Sequence, residues 1–538
     1  MTVAFEDSRQ RYRRRLARFV AVVVRKVFDQ RKPIAAVSSP KVTQGSTSKP
    51  AMTVDSPITR LADTFSKLRM NDSPSLPAGS RTLPLATKAP RNHLHKRVPE
   101  VIPRFHFPQG KPPSSASENE SALKRAAAVF ARFSGCVSIE NMPDVMLAVN
   151  LPIYWKRPLY DSVANTRNAQ HPITFQDFAH WWNGMTSVAH DEASRFVFTM
   201  AGPTRRYIEK ADFEPFLQDL IDTFPGLHFL REAKEFHSRY VQTVIVRIFY
   251  SVNRSWSGRI TAAELRQSNF LQTLVRLEDT DDINTVTDYF SYEHFYVIYC
   301  KFWELDKDHD LLIDKLDMTK HGNGAIPSRV IDRVFSGAVS RGLGRGRPMD
   351  KLNYTDFVAF ILAEEDKRHP TSIEYWFRCL DIDGDGVLSL YELEYFYSEV
   401  ARKMEAMGIE SMKFQDVACQ LLDIVNPKLE DRVTLSDIKK CQMCTRFFNA
   451  FINVHKYYEQ ESADGERASV KTDLDEEMSD WDRFCAEEYE LLMQEEQPDD
   501  MELTCDIASD EESSPGSTSL SRSNPESQLR RSPLLDTL

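Results

Sequence analysis

The chain has 538 residues, of which 41% are apolar and 27% charged, with a net charge of −11. These are the proportions of a soluble globular protein with about two to four domains, and the negative balance argues against nucleic acid as the main partner. Its eight cysteines are scattered, and the one C-x-x-C, Cys441 and Cys444, has no second pair at zinc-ribbon spacing. These two thiols are expected to lie together on one helix, one buried and one half-buried.

In residues 1–32, Arg11, Arg13, Arg14, Arg15, Arg18, Arg25 and Lys26 surround the apolar run Phe19 to Val24, which is too short to span a bilayer. The segment reads either as a basic amphipathic helix that touches a membrane surface or a partner, or as a partly helical arm. Residues 33–96, rich in Ser, Thr, Pro and Lys, cannot bury enough apolar surface to offset their ordering entropy. Residues 1–96 are therefore expected to be a basic helix followed by a disordered stretch. Order is expected to begin near R-V-P-E-V-I-P-R-F-H-F-P (97–108), to pause in the Ser-rich 113–119 and to continue to about residue 460.

Through this ordered part runs a weak repeat: an apolar residue, Ser, Thr, Asp or Asn, two residues, Asp or Glu, and another apolar residue. Copies stand at 137–142, 173–178, 260–265, 290–295, 313–318, 352–357, 388–393 and 433–438. One copy alone is only a common helix N-cap box. A series spaced by about thirty to forty-five residues indicates helix-loop-helix units that pair through short β-bridges. The aromatic residues Trp181, Trp182, Trp303 and Trp376 lie at helical spacing and are assigned to the core rather than to interfaces.

Three loops within the series can be tested as metal binders. A twelve-residue EF-hand loop takes oxygens from its positions 1, 3, 5, 7 (a carbonyl), 9 and 12, with a sharp turn at 6. N-R-S-W-S-G-R-I-T-A-A-E (253–264) keeps the turn glycine and the final Glu264 but has no early carboxylates, so it is expected to be a structural unit that pairs with a neighbour. D-K-D-H-D-L-L-I-D-K-L-D (306–317) offers Asp306, Asp308, Asp310, the Leu312 carbonyl, Asp314 and Asp317, but puts Leu311 at the turn and a short Asp at the last position. A non-glycine residue in the left-handed conformation there costs on the order of 1 kcal/mol.

The third loop, D-I-D-G-D-G-V-L-S-L-Y-E (381–392), fills every slot, with Asp381, Asp383, Asp385, the Val387 carbonyl, Ser389, Glu392 and the turn residue Gly386. Helical apolar spacing flanks it on both sides, and Thr371 with Glu374 is expected to form a capping box for the entering helix. Ca²⁺ is the cofactor this loop implies. The stretch around 427–438 lacks an acidic triplet and is read as scaffold.

The expected fold is all-α, with tandem EF-hand-like units in an elongated array and disordered N- and C-terminal segments. Degenerate units are expected at 97–280 and the calcium loops at 281–460. An acidic segment, 461–497, ends in the helix of 480–496, and 498–538 is an acidic, Ser-rich tail.

Several stretches together resemble the B-double-prime class of protein phosphatase 2A regulatory subunits. They are I-P-R-F-H-F-P (102–108), L-P-I-Y-W-K-R-P-L (151–159), F-W-E-L-D-K-D-H-D-L-L-I-D (302–314), residues 364–386 and E-L-E-Y-F-Y (392–397). The resemblance runs from about Val98 to Glu496, and the family motif shares Leu311. It implies a non-catalytic subunit that joins the scaffold and catalytic subunits, directs the phosphatase to phosphoprotein substrates, and binds Ca²⁺ through the ligands named for the two loops. It departs in the Gly/Arg-rich link 341–348, the first 96 residues and the tail. The rivals are a stand-alone calcium sensor or adaptor and a calcium-gated enzyme. No phosphate loop, nucleophile elbow or H-E-x-x-H supports the enzyme. Neither a transmembrane segment nor a secretory signal is expected. The expected location is cytoplasmic or nuclear, with cytoskeletal or centrosomal association left open.

Overall fold

The computed structural model describes residues 116–231, 233–342, 346–429, 431–463 and 478–495. The basic arm, the stretch 33–96, the motif at 97–108, most of the acidic segment and the tail lie outside these residues. Among the described residues, eight short strands pair in sequence order into four antiparallel two-stranded sheets. Strand β1 (Cys136–Val137) pairs with β2 (Ile173–Thr174), and β3 (Tyr207–Ile208) with β4 (Ile260–Thr261). Strand β5 (Leu312–Ile313) pairs with β6 (Leu352–Asn353), and β7 (Val387–Ser389) with β8 (Arg432–Thr434). The remaining regular elements among the described residues are helices, so the expected all-α array of helix-loop-helix units is what they form.

The repeat explains this arrangement. Its first apolar residue (Val137, Ile173, Ile260, Ile313, Leu352, Leu388 or Val433) is buried in each strand pair. The next polar residue caps the exiting helix, and Thr174–Asp177, Thr261–Glu264, Asp314–Asp317, Ser389–Glu392 and Thr434–Asp437 all form reciprocal capping boxes. Two corrections follow. The copy at 290–295 makes no strand: Ser291 simply caps the helix Tyr292–Leu305 by accepting from the His294 N–H. The missing eighth strand is β3, whose cap residue is Glu209, so the Ser/Thr/Asp/Asn pattern passes over it.

Two further expectations fail locally. The helix Ala116–Arg132 begins inside the Ser-rich stretch expected to interrupt order. Pro370 takes the first helical position of Pro370–Leu380, so His369 becomes the cap and its Nδ1 accepts from the Thr371 N–H. Thr371 Oγ1 instead donates to the Tyr250 carbonyl, and Glu374 pairs with Lys439 and Arg254.

The buried side chains form two cores, one drawn from residues 122–299 and the other from 246–485. Trp181, Trp182 and Trp376 are buried in them, and Trp303 packs against the first. Three helices serve both cores, and in Lys234–Val252 Ile248 lies in the first core while Tyr250 lies in the second. In Tyr292–Leu305, Phe295 and Tyr299 face the first core, while Ile298 and Phe302 face the second. The helix Asp480–Glu495, foreseen from its apolar spacing, returns to this junction and packs along Tyr292–Leu305. There Trp481 and Cys485 are buried, and Lys301 pairs with Glu488 at 2.7 Å. Cys444 starts the helix Cys444–Ile452 and is buried, whereas Cys441 precedes that helix and is half-buried, so the two thiols do not share one helix.

Candidate calcium-binding sites

The loop 381–392 is held between two well-buried helices. Ile373, Trp376, Phe377 and Leu380 anchor the entering helix, and Leu393, Phe396, Tyr397 and Val400 anchor the exiting helix Leu390–Ala406. Asp381 Oδ1 accepts from the Gly384 N–H at 2.8 Å and Oδ2 from the Gly386 N–H at 3.2 Å. Asp383 and Asp385 accept from the N–H two residues on, at 3.1 and 2.9 Å. Glu392 Oε1 accepts from the Ile382 N–H at 2.7 Å, and Oε2 accepts from the Ser389 N–H and hydroxyl at 2.9 and 2.8 Å. The backbone therefore aims four carboxylates into one loop. Burial raises the Asp381 pKa; the Gly386 and Gly384 N–H groups oppose the rise, while Glu392 and Asp385 add to it.

The loop 306–317 repeats this backbone without the glycines. Its fourth and sixth residues, His309 and Leu311, have φ of 61° and 67°, against 77° and 86° for Gly384 and Gly386. Leu311 tolerates the left-handed conformation with its side chain 43% exposed, and its N–H donates to Asp306 Oδ2 at 3.0 Å, as Gly386 does to Asp381. Asp306 is fully buried and its other oxygen, Oδ1, has no partner. An unpaired buried carboxylate oxygen is costly. Burial raises the Asp306 pKa, with Asp308 and Asp310 adding to the rise and the Leu311 N–H opposing it. At the rim, Lys351 from the next unit pairs with Asp310 and holds its carboxyl below the ordinary range. Asp317 Oδ1 pairs with Lys320 at 2.8 Å.

In each loop, oxygens of the first three aspartates, Asp306, Asp308 and Asp310 or Asp381, Asp383 and Asp385, lie within 4.8 Å of one another. This hard, anionic oxygen set with one orphaned oxygen fits a divalent cation such as Ca²⁺. Ser389, Glu392, Asp314 and Asp317 stand at the later ligand positions, and the Val387 and Leu312 carbonyls lie in β7 and β5.

The loop 253–264 has the same turn, with φ of 59° at Trp256 and 74° at Gly258, and is closed from within. The Gly258 N–H donates to Asn253 Oδ1 at 2.8 Å, which turns the side-chain NH₂ toward the loop centre. Nδ2 then lies 3.1 Å from Ser255 Oγ, 3.2 Å from Ser257 Oγ, 2.8 Å from the Arg259 carbonyl and 3.0 Å from Glu264 Oε1. These are the oxygens at loop positions 3, 5, 7 and 12, so an amide nitrogen occupies the place of an ion. In the unit that supplies β3, the role falls to Arg205. Its guanidinium contacts both oxygens of the buried Asp212 at 2.9 and 2.8 Å, and Arg167 adds a bond at 2.6 Å. Sequence reasoning passed over both devices, although an arginine or an asparagine among loop ligand positions is a readable sign of them. The stretch around 427–438 is scaffold: Thr434 caps the helix Leu435–Ile438 in a box with Asp437, and Asp431 pairs with its neighbour Arg432.

Comparison with known proteins agrees with this geometry. Residues 191–280 match the family model of an EF-hand domain, and 295–398 that of an EF-hand domain pair. The human B'' subunit beta of serine/threonine-protein phosphatase 2A is 46% identical over 452 residues, which cover 79% of this chain and 78% of that protein. The chain belongs to the B'' family of protein phosphatase 2A regulatory subunits. As a B'' regulatory subunit it is non-catalytic. The human B'' subunit alpha is 47% identical over 444 residues, 80% of this chain, which spans only 38% of that longer relative. A chain of a solved PP2A PR70 holoenzyme is 58% identical, with 50% of this chain and 99% of that chain covered and a TM-score of 0.48. Among the described residues of this B'' subunit, no helix is long and apolar enough to cross a membrane.

Proposed function

We propose that this B'' subunit binds Ca²⁺ in the loops 306–317 and 381–392, joins the scaffold and catalytic subunits of protein phosphatase 2A, and directs them to particular phosphoproteins in the cytoplasm or nucleus. The calcium half rests on the two aspartate clusters with oxygens within 4.8 Å. Like charges about 4 Å apart repel by roughly 4 kcal/mol per pair at an effective dielectric of 20. A bound Ca²⁺ would supply the positive charge that offsets this and gives Asp306 Oδ1 a partner. The protein's part is already built: backbone N–H groups orient the carboxylates, and the capping boxes fix Glu392 and Asp317 at the start of each exiting helix.

The partner half is supported by the 46% identity that spans most of both this chain and the human beta subunit. A division into 97–280 and 281–460 belongs to the same reading, with the ion-binding loops confined to the second region. If Ca²⁺ binds the assembled form better than the free one, the ion strengthens assembly by the same factor.

The test is a pulldown of the full chain with the purified scaffold–catalytic core, in Ca²⁺ and in chelator. Stoichiometric capture is expected, and the ratio of affinities between the two conditions sizes the coupling. Calcium uptake without capture in either condition would favour the stand-alone sensor.

A further inference from the structure

Between the two cores lies a cavity of about 580 Å³. Such a volume, at a junction between packed units, suits a small organic ligand. Phe249, Val339, Met349, Leu352 and Tyr375 supply apolar wall, and the charged lining groups are Glu209, Lys210, Arg259, Arg341 and Asp356. Glu209 and Arg259 satisfy each other at 3.3 Å. Lys210, Arg341 and Asp356 make no ion pair within 4 Å among the described residues, which leaves two cations against one carboxylate.

Arg341 is held firmly yet left incomplete. Its guanidinium lies 4.7 Å from the ring centre of Tyr250 and 4.2 Å from that of Trp256, whose ring also carries Arg378 at 4.6 Å. Nη1 donates to the Phe249 carbonyl at 3.3 Å, while Nε and Nη2 are buried without a partner. Burial pulls the Arg341 pKa down to about 10 and raises that of Asp356, whereas Lys210 is exposed. A planar guanidinium that lines the cavity and is fixed by stacked rings is preorganised to bind an oxyanion.

We propose that this cavity binds a small amphipathic anion, a phosphate or carboxylate head on an apolar body, with Arg341 and Lys210 taking the head and Phe249, Met349 and Tyr375 the body. The walls belong to both cores, so an occupied cavity holds their mutual arrangement.

The test is calorimetric titration of the full chain with phenyl phosphate, beside inorganic phosphate and phenol as the head and the body alone. Saturable binding of one equivalent of phenyl phosphate is expected, about tenfold or more tighter than either control. Arg341→Met and Lys210→Met should each weaken it by about tenfold or more. Asp356→Asn should tighten it several-fold by removing a like charge. Melting curves check the fold of each variant, and the Lys210 and Asp356 variants carry the test if Arg341→Met does not fold. Absence of saturable binding, phosphate binding as tightly as phenyl phosphate, or affinity unmoved by the variants would overturn the proposal.

Discussion

Asn253 Nδ2 stands 3.0 Å from Glu264 Oε1, the contact that closes a calcium-type loop without calcium. Asn253→Ala strips a buried donor from four oxygens and should cost about 1–3 kcal/mol of stability, while leaving the number of bound Ca²⁺ ions unchanged. Asn253→Asp instead sets two carboxylates together. It should melt lower than the parent in chelator and recover part of the loss when calcium is added, an outcome read by paired melting curves.

Asp381→Ala combined with Glu392→Ala should remove one calcium equivalent from a calorimetric titration and leave most of the helical circular dichroism. The anchoring residues Trp376, Leu380, Leu393 and Phe396 are untouched and buried. Global unfolding of the double variant would mean the loop ligands are needed for the fold itself.

At Gly386 an added Cβ meets nothing within 4 Å, so only its φ of +86° resists substitution. Gly386→Ala should therefore cost about 1–2 kcal/mol in urea unfolding and still allow calcium binding, as the left-handed Leu311 shows the turn can be made without glycine.

The Arg205–Asp212 contact should behave as a coupled pair. Asp212 is 2% exposed at its side chain, whereas Arg205 is 29% exposed. Single alanine variants and the double variant, compared in a thermodynamic cycle, should give a coupling of about 1 kcal/mol, within the 0.5–3 expected for neighbours. The same value should be found with calcium and with chelator.

His294 makes stability depend on pH. Its Nδ1 accepts from Arg247 at 3.0 Å and from Trp481 at 3.2 Å, which requires a neutral ring, and burial, then Arg247, holds its pKa well below the ordinary value. The stabilisation is present above the unfolded pKa of about 6.5 and is lost as pH falls from there toward the folded value, by at most about 1.4 kcal/mol per pH unit. His321 and His369, each depressed to about 4 by burial, act in the same direction. Urea midpoints between pH 7.5 and 5.5 should fall less steeply for His294→Gln than for the parent.

The repeating units were legible because strand and cap lie next to each other in the chain. An apolar residue that must be buried is followed at once by a residue that accepts from a backbone N–H, and six of the eight strands follow that rule, while Ser138 after β1 stands at the cap position without a cap bond. Strand β3 escaped because glutamate serves as its cap, and the copy at 290–295 misled because Ser291 starts a helix that no strand precedes. The aspartate clusters were legible for the same local reason. The Arg341 cavity, the return of Trp481 to His294 and the loss of Thr371 to Tyr250 were not, since each joins residues more than ninety positions apart.

The nitrogen in the 253–264 loop is covalently tethered to its own site, so its effective concentration there is fixed by the chain and does not change with dilution. The guanidinium of Arg205 is tethered in the same way. A loop filled by a dissolved ion responds to how much of that ion is present, whereas these two cannot. In the reading proposed above, one molecule therefore carries both a concentration-dependent element and a fixed reference against which that element moves.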